Sequence, residues 1–433
     1  MKVSYTLFAL THRFICRSVP ALLHGSVTKQ QRRKRRIMKK KVVSLLAAMA
    51  LAVTALAGCG SNDAATTGTD AATVAATTEA AGTTEAAGTT EAATDSEAVT
   101  GVKAGFIFLH DENSTYDLNF LNAAKAACEK LGIEYMTKTN IPEGQEAYEA
   151  ACELADAGCN FIFADSFGHE DYIIEAAKEY PDVQFSHATG TKAHTEGLDN
   201  FHNAFASIYD GRYLAGIVAG MKTQKNYIGY VAAKGIPEVI RGINAFTLGV
   251  QSVNPDAKVE VVFTDTWYDP TVEKQAALEL LNKGVDIIAQ HQDTTAPQVA
   301  AEEKGAYCIG YNFPTSDAAP KAYLTAACFD WKTFYTDDVK KAMDGTWTSR
   351  KYWEGLAANM TYLDKLTDLC AEGTQEKVDA AQKAIIDGTL EPFTGPLYDQ
   401  EGNKKVEDGV KMTDEEIWNM NWFVKGVTGT IPA

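Results

Sequence analysis

The side chains best suited to chemistry in this chain fall at one repeated place, just after short apolar runs of the kind that form parallel strands. Asn113 and Tyr116 follow the run 102–109, Ser166 and Phe167 follow 159–165, and His187 ends 183–187. Trp267 and Tyr268 follow 258–265, His291 and Asp293 follow 285–290, Asn312 follows 306–311, and Asp330 follows 323–329. In an open parallel sheet, ligands sit beyond the carboxyl ends of the strands, so these residues are candidates to line one cleft. Aromatic faces with one or two carboxylates suit a flat heterocycle that donates hydrogen bonds, because rings stack on its faces while carboxylates accept from its edge. Phe167, in Asp165-Ser166-Phe167-Gly168, and Trp267, in Thr266-Trp267-Tyr268-Asp269-Pro270, stand where opposing cleft walls would meet. Structural roles compete for the same side chains. Tyr116 and Tyr268 could seal a core, Asp293 could cap the helix that starts near Ala296, and His187 and His291 read as satisfied structural histidines.

Those residues need a frame, and the alternation of apolar runs with amphipathic stretches supplies one. Helical spacing at 118–131, 146–157, 171–179, 237–253, 271–282 and 296–304 falls between the strand-like runs, including 133–139 and 227–232. Stacked βαβ units of this kind make an α/β protein. A folded part of roughly 330 residues exceeds one comfortable core, so two Rossmann-like lobes with a ligand cleft between them are expected. Residues 101–225 plus 326–348 are expected to form the first, and 226–325 plus 349–433 the second with a C-terminal extension.

The N-terminus has its own logic. Met38-Lys39-Lys40-Lys41, an apolar run at 42–57, and Leu56-Ala57-Gly58-Cys59 make a secretory signal with a lipid-attachment cysteine. The run is shorter than the roughly 18–20 residues that span a bilayer. Residues 1–37, with Arg32-Arg33-Lys34-Arg35-Arg36, read as an over-extended reading frame. From Cys59 to about Thr100 the repeats Thr77-Thr78-Glu79-Ala80-Ala81-Gly82 and Thr83-Thr84-Glu85-Ala86-Ala87-Gly88 offer nothing to bury, as in a disordered tether. Of the 40 Lys and Arg residues, 12 precede Cys59, leaving 28 against 57 acidic residues, a net charge of −29 that repels nucleic acid. Without Cys16 and Cys59, the other six of eight cysteines sit in apolar stretches and read as small buried hydrophobes. No Cys-x-x-Cys or His-rich spacing suggests a metal, and no nucleophile elbow, phosphate loop or dinucleotide fingerprint suggests an enzyme or a cofactor.

Ser186-His187-Ala188-Thr189-Gly190, Tyr209-Asp210-Gly211-Arg212-Tyr213-Leu214-Ala215-Gly216 and Pro237-Glu238-Val239-Ile240-Arg241-Gly242-Ile243-Asn244 resemble the basic membrane protein family. So do Thr266-Trp267-Tyr268-Asp269-Pro270, Ala289-Gln290-His291-Gln292-Asp293-Thr294 and Pro392-Phe393-Thr394-Gly395-Pro396, in order along 102–433. The resemblance implies a lipoprotein substrate-binding component of an ABC importer, with the type I periplasmic-binding-protein fold and a purine base or nucleoside as ligand. It further implies permease and ATPase partners, a membrane tether through Cys59 on the extracellular face, and a monomer. Phe167 and Trp267 look like the base-stacking pair and Asp293 like the carboxylate on the purine edge. Asn312 stands where many members have a ribose-binding aspartate, and Tyr116, Asp330, Asn113, His187, Glu238 and Tyr268 complete the candidate ligand set. Nucleoside-binding relatives carry a lysine after the Leu-Thr that here is Leu324-Thr325; this chain has Ala326-Ala327-Cys328-Phe329-Asp330, which looks more like members that hold a free base such as adenine. A nucleoside-binding member, a membrane-tethered receptor and a nucleoside-processing enzyme are the alternatives.

Overall fold

Each βα unit is set by local signals that agree with its burial. The computed structural model describes residues 101–432; the leader, Cys59, the tract to Thr100 and the segment 1–37 lie outside the described residues. Strand β1 (Lys103–Ile107) is followed by α1 (Thr115–Leu131). Ser114 caps α1 by accepting from the Asp117 N–H, and Gly132 closes it in the left-handed conformation at φ 66°. Then come β2 (Glu134–Lys138), α2 (Gln145–Asp156), β3 (Phe161–Ala164), α3 (Glu170–Glu179), β4 (Gln184–Ala188) and β5 (Phe201–Ala206).

The second series runs α4 (Ile208–Lys222), β6 (Tyr227–Ala232), α5 (Pro237–Val253), β7 (Lys258–Phe263), α6 (Pro270–Lys283), β8 (Ile287–His291), α7 (Ala296–Glu303), β9 (Tyr307–Asn312) and β10 (Tyr323–Phe329). Helix α6 shows why the chain turns there: Asp269 accepts from the N–H groups of Thr271 and Val272, Pro270 fills the first turn, and Gly284 ends the helix at φ 102°. The chain finishes with α8 (Trp331–Met343), β11 (Lys351–Glu354), β12 (Thr361–Leu363), α9 (Thr374–Ile386), a small hairpin of β13 (Leu397–Tyr398) and β14 (Lys404–Val406), α10 (Asp414–Trp418) and β15 (Val427–Thr428).

Two sheets result, in the orders β11-β5-β4-β3-β1-β2 and β12-β10-β9-β8-β6-β7-β15. Every pairing in the first is parallel, and in the second only β12 runs antiparallel, against β10. The chain passes between lobes three times, after β5, after β10 and after β11.

These crossings correct the expected boundaries. Helix α4, expected in lobe 1, packs against α5 and β10 of lobe 2. Their backbones touch through glycines: a Cβ at Gly216 would lie 2.1 Å from the Phe246 carbonyl oxygen, and one at Gly249 would lie 2.0 Å from that of Tyr213. Strand β10 stays whole in lobe 2, while β11, expected in lobe 2, pairs with β5 at the edge of lobe 1. A helix that follows a strand normally covers the same sheet, and composition gives no sign when it opens the other lobe instead. The six described cysteines are all free thiols.

Candidate ligand-binding site

The carboxyl ends of both sheets converge on a chamber of about 360 Å³. Lobe 1 contributes Leu109, Tyr116, Ser166, Phe167 and Thr189; lobe 2 contributes Glu238, Trp267, His291, Asp293 and Tyr311. Phe167 opens a short turn held by Glu143, whose Oε1 accepts from the Ser166 hydroxyl at 2.6 Å and the Gly168 N–H at 2.9 Å. Phe167 remains 38% exposed although Ser166 and His169 close to it are buried. Tyr116 donates from its hydroxyl to the Asp165 carbonyl at 2.8 Å, which turns the ring face into chamber wall. Trp267 lines the chamber from lobe 2 beside His291, with ring centroids 6.3 Å apart.

Asp293 sits in the chamber, 5% exposed, with Oδ1 accepting from Asn312 Nδ2 at 2.9 Å. It does not cap α7: the Ala296 N–H is taken by Thr294 Oγ1. Asn312 lies behind Asp293 and does not line the chamber. Arg212 lies beneath the floor, its guanidinium carbon 3.6 Å from the centroid of the Tyr311 ring and its Nη1 donating to the Gln290 carbonyl at 2.6 Å. The Tyr311 hydroxyl meets His291 Nε2 at 3.1 Å.

Besides Asn312, four expected ligand residues lie outside the chamber lining. Asp330 caps α8 at a lobe crossing, accepting from the Lys332 N–H. His187 is fully buried, donating to the Ser166 carbonyl at 2.7 Å with Asn203 on its other nitrogen. Asn113 closes a turn on Asp111, and Tyr268 packs on His110 outside the chamber. Conversely, Thr189 and Tyr311 line it although their neighbours His187 and Asn312 drew attention. Tyr311 and Asn312 are adjacent in β9 and so face opposite sides, while Thr189 lies just past β4, which runs one residue beyond the expected end at His187. Thr189 also adopts φ 63°, a strained value for a β-branched residue of the sort found at binding sites.

The lobes are joined across the chamber by the first turn of α1. The Thr115 N–H and hydroxyl both donate to the Asp293 carbonyl, at 2.9 and 3.2 Å. Asn119 donates to the Asn312 carbonyl, and Asn312 Nδ2 reaches Thr115 Oγ1 at 3.3 Å. The side chain that faces the ligand space thus shares a residue with the clasp between lobes.

Burial dominates the electrostatics. It pushes Asp293 and Asp165 well above the usual carboxylate range, with Asp117 adding repulsion to both, and raises Glu238 against the pull of Arg241 and Arg212. It drives His291 well below its ordinary value, aided by Arg212 and Arg241. Elsewhere, burial raises Asp210 to about 8 and Glu273 to about 7, and lowers His169 and His187 to about 4. Each raised carboxyl keeps a proton that the unfolded chain releases, so stability falls as pH rises through the folded pKa. Each lowered histidine stays neutral where the unfolded chain protonates, so stability falls as pH drops below about 6.5. Below pH 6.5 the two sets oppose each other, but above it only the carboxyls act, so the melting temperature should fall from pH 6.5 to 8.5; a steady climb over that range in calorimetric scans contradicts this account.

Comparison with known proteins adds a family to this geometry. The family described as ABC transporter substrate-binding protein PnrA-like matches residues 108–391. A purine-binding protein of Brucella abortus (strain 2308) is 36% identical over 336 residues, 76% of this chain and 94% of that one. A Haloferax volcanii protein, provisionally named as an ABC transporter glucose-binding protein, is 33% identical over 70% of this chain and 73% of its own. Among solved structures, an ABC transporter solute-binding protein from Conexibacter woesei superposes with TM-score 0.58 at 23% identity, covering 67% of this chain and 98% of that one. One from Aeropyrum pernix K1 gives 0.59 at 18% identity over 67% and 92%.

Proposed function

Because the chain belongs to the PnrA-like family of ABC transporter substrate-binding proteins, we propose that its cleft captures a purine, a free base such as adenine ahead of a nucleoside, for delivery to a permease and ATPase. The protein is a substrate-binding component of an ABC transport system and not an enzyme, and such components of importers work outside the cytoplasm. Among the described residues no helix is long and apolar enough to cross a membrane. Attachment through a lipid on Cys59 fits the signal that precedes it, and intact mass of membrane-extracted protein tests it.

The observation that supports the purine reading is that Phe167 from lobe 1 and Trp267 from lobe 2 line one chamber together with the buried Asp293. A flat ring meets π faces from both lobes, and its donor edge meets a buried acceptor. The name of the Brucella relative supports the same ligand class. Preference for the base rests on Ala326 and Ala327, fully buried where nucleoside-binding relatives carry a lysine nearby. Calorimetry with adenine, hypoxanthine, adenosine, guanosine, ribose and glucose decides the matter: adenine should bind at low-micromolar affinity or tighter, unaffected by a chelator. Tight sugar binding without a purine response overturns the reading.

Capture should close the lobes, since a ligand shifts a conformational equilibrium only by binding one state better. Asn119→Ala removes a hydrogen bond of the clasp without touching the chamber. It should weaken every ligand by about two- to tenfold while leaving the order of preference intact, and shift the scattering curve of the ligand-free protein toward a more open form. Selective loss for one ligand would show that the clasp is not separate from recognition.

A further inference from the structure

Beside the inner chamber lies a larger one of about 610 Å³, and Phe167, Thr189 and Glu238 line both. Its outer wall carries Arg241 together with Phe205 and Trp418. Arg241 is only 4% exposed and makes no hydrogen bond or ion pair among the described residues; its Nη2 is buried without a partner. It is framed by rings, with Phe205, Trp418 and Trp353 centroids 5.0, 5.4 and 5.5 Å from the guanidinium carbon, and feels the charge of Glu238 without contact. Glu238, one turn earlier on α5, is 7% exposed, and it forms no ion pair with Arg241.

Buried charges are ordinarily paired and hydrogen-bonded, because desolvation otherwise makes them costly. An arginine fixed in an aromatic frame with its donors unused, on the wall of an open hollow, has the form of a receptor awaiting an acceptor. The guanidinium fork matches a carboxylate in two parallel hydrogen bonds. Glu238 stands at the mouth between the chambers, where it can accept from a donor on the ring side.

We propose that the outer chamber is a second subsite, which receives a short carboxylate-bearing arm carried by the heterocycle in the inner chamber, with Arg241 as its anchor. This rests on the purine reading and goes beyond it: the bare base fills the inner chamber only, and an acidic arm adds affinity through the outer one. The rings around Arg241 exclude water on its far side, so its donors can serve only a group that enters from the chamber.

The test uses adenine, adenine with a carboxyethyl arm on its five-membered ring, the isomer with that arm on the exocyclic amine, the neutral amide of each, and adenosine. Titration calorimetry with the folded chain should find one carboxylate isomer about ten- to a hundredfold tighter than its own amide. In Arg241→Met that ratio should fall to about one, and Arg241→Lys should retain part of it; circular dichroism and melting verify that both variants fold. Carboxylates no tighter than their amides, or a ratio that survives in Arg241→Met, overturn the subsite. So does adenosine binding tighter than both carboxylates, which would make the outer chamber a place for sugar hydroxyls. Failure of adenine itself to bind the unaltered protein overturns the purine reading and, with it, the subsite.

Discussion

Trp267→Ala should weaken every flat ligand by about tenfold to a hundredfold and leave the order of preference unchanged. The indole forms one wall of the inner chamber, with Phe167 on the wall from the other lobe. Stacking on an aromatic side chain is worth roughly 1–3 kcal/mol per base by alanine substitution, and a ring's face carries little information about its edge. Trp267 is also packed against the core, so the loss includes some loosening of the loop, and Trp267→Phe should recover most of the affinity because it restores a π surface. Calorimetry over the purine panel reads both. A Trp267→Ala variant that loses one base far more than another would show that the indole reads the edge, through its N–H, and not the face.

Asp293 should fail in the other way. Burial keeps Asp293 protonated before a ligand enters, so a ring edge that donates must draw out the carboxylate. Hydrogen bonds to such a charged group are worth roughly 1.5–3 kcal/mol, and bases whose edges present different donors lose that amount unequally. Asp293→Ala should therefore weaken the best-matched purine by about ten- to a hundredfold while barely affecting a poorly matched one. The alanine also strips Asn312 Nδ2 of its acceptor, so some stability is lost. Asp293→Asn separates the two effects, because an amide oxygen keeps the Asn312 contact while its nitrogen offers a donor in place of an acceptor. Preference should then move toward bases that present an acceptor at that edge. If both variants bound all purines like the parent, Asp293 would be a member of the clasp alone.

Periodicity made much of this fold legible before any coordinates. Strands β6 and β10 and helix α5 begin and end where the pattern puts them, because each is bounded by a clear change in period. What escaped has a common cause. Helix α4 is buried on nearly every side, so it has no polar face and no helical stripe, and β5 carries His202 and Asn203 inside the sheet. Their partners, Asp338 and Ser186 for His202 and the Ala193 N–H for Asn203, lie far away in the chain or across a loop.

The site divides in the same way. Phe167, Trp267 and Asp293 follow from the rule about strand ends and reach one chamber, and so does Tyr116. Asp330 follows the same rule but caps a helix, since β10 is the strand from which the chain leaves the lobe. Arg212 and Arg241, on helices, could not be reached by that rule at all. Their tell is chemical: a charged residue inside a mostly apolar helix needs a reason, and rings from distant segments provide it.

The three passages between lobes also govern how this molecule can come into being. Lobe 1 takes its edge strand from residues 351–354, and Ser349 hydrogen-bonds to Phe201 across 148 positions of sequence. A chain emerging N-terminal end first cannot complete lobe 1 until most of lobe 2 has also appeared, and α1 lacks the cover of α8 until then. Long-range parallel pairing of this kind is slow, because loop closure precedes the contacts that reward it. No single cut yields an intact lobe. Heating should accordingly reveal one cooperative transition, and a nascent chain acquires the shape that grips a ligand only after residues 351–354 have emerged.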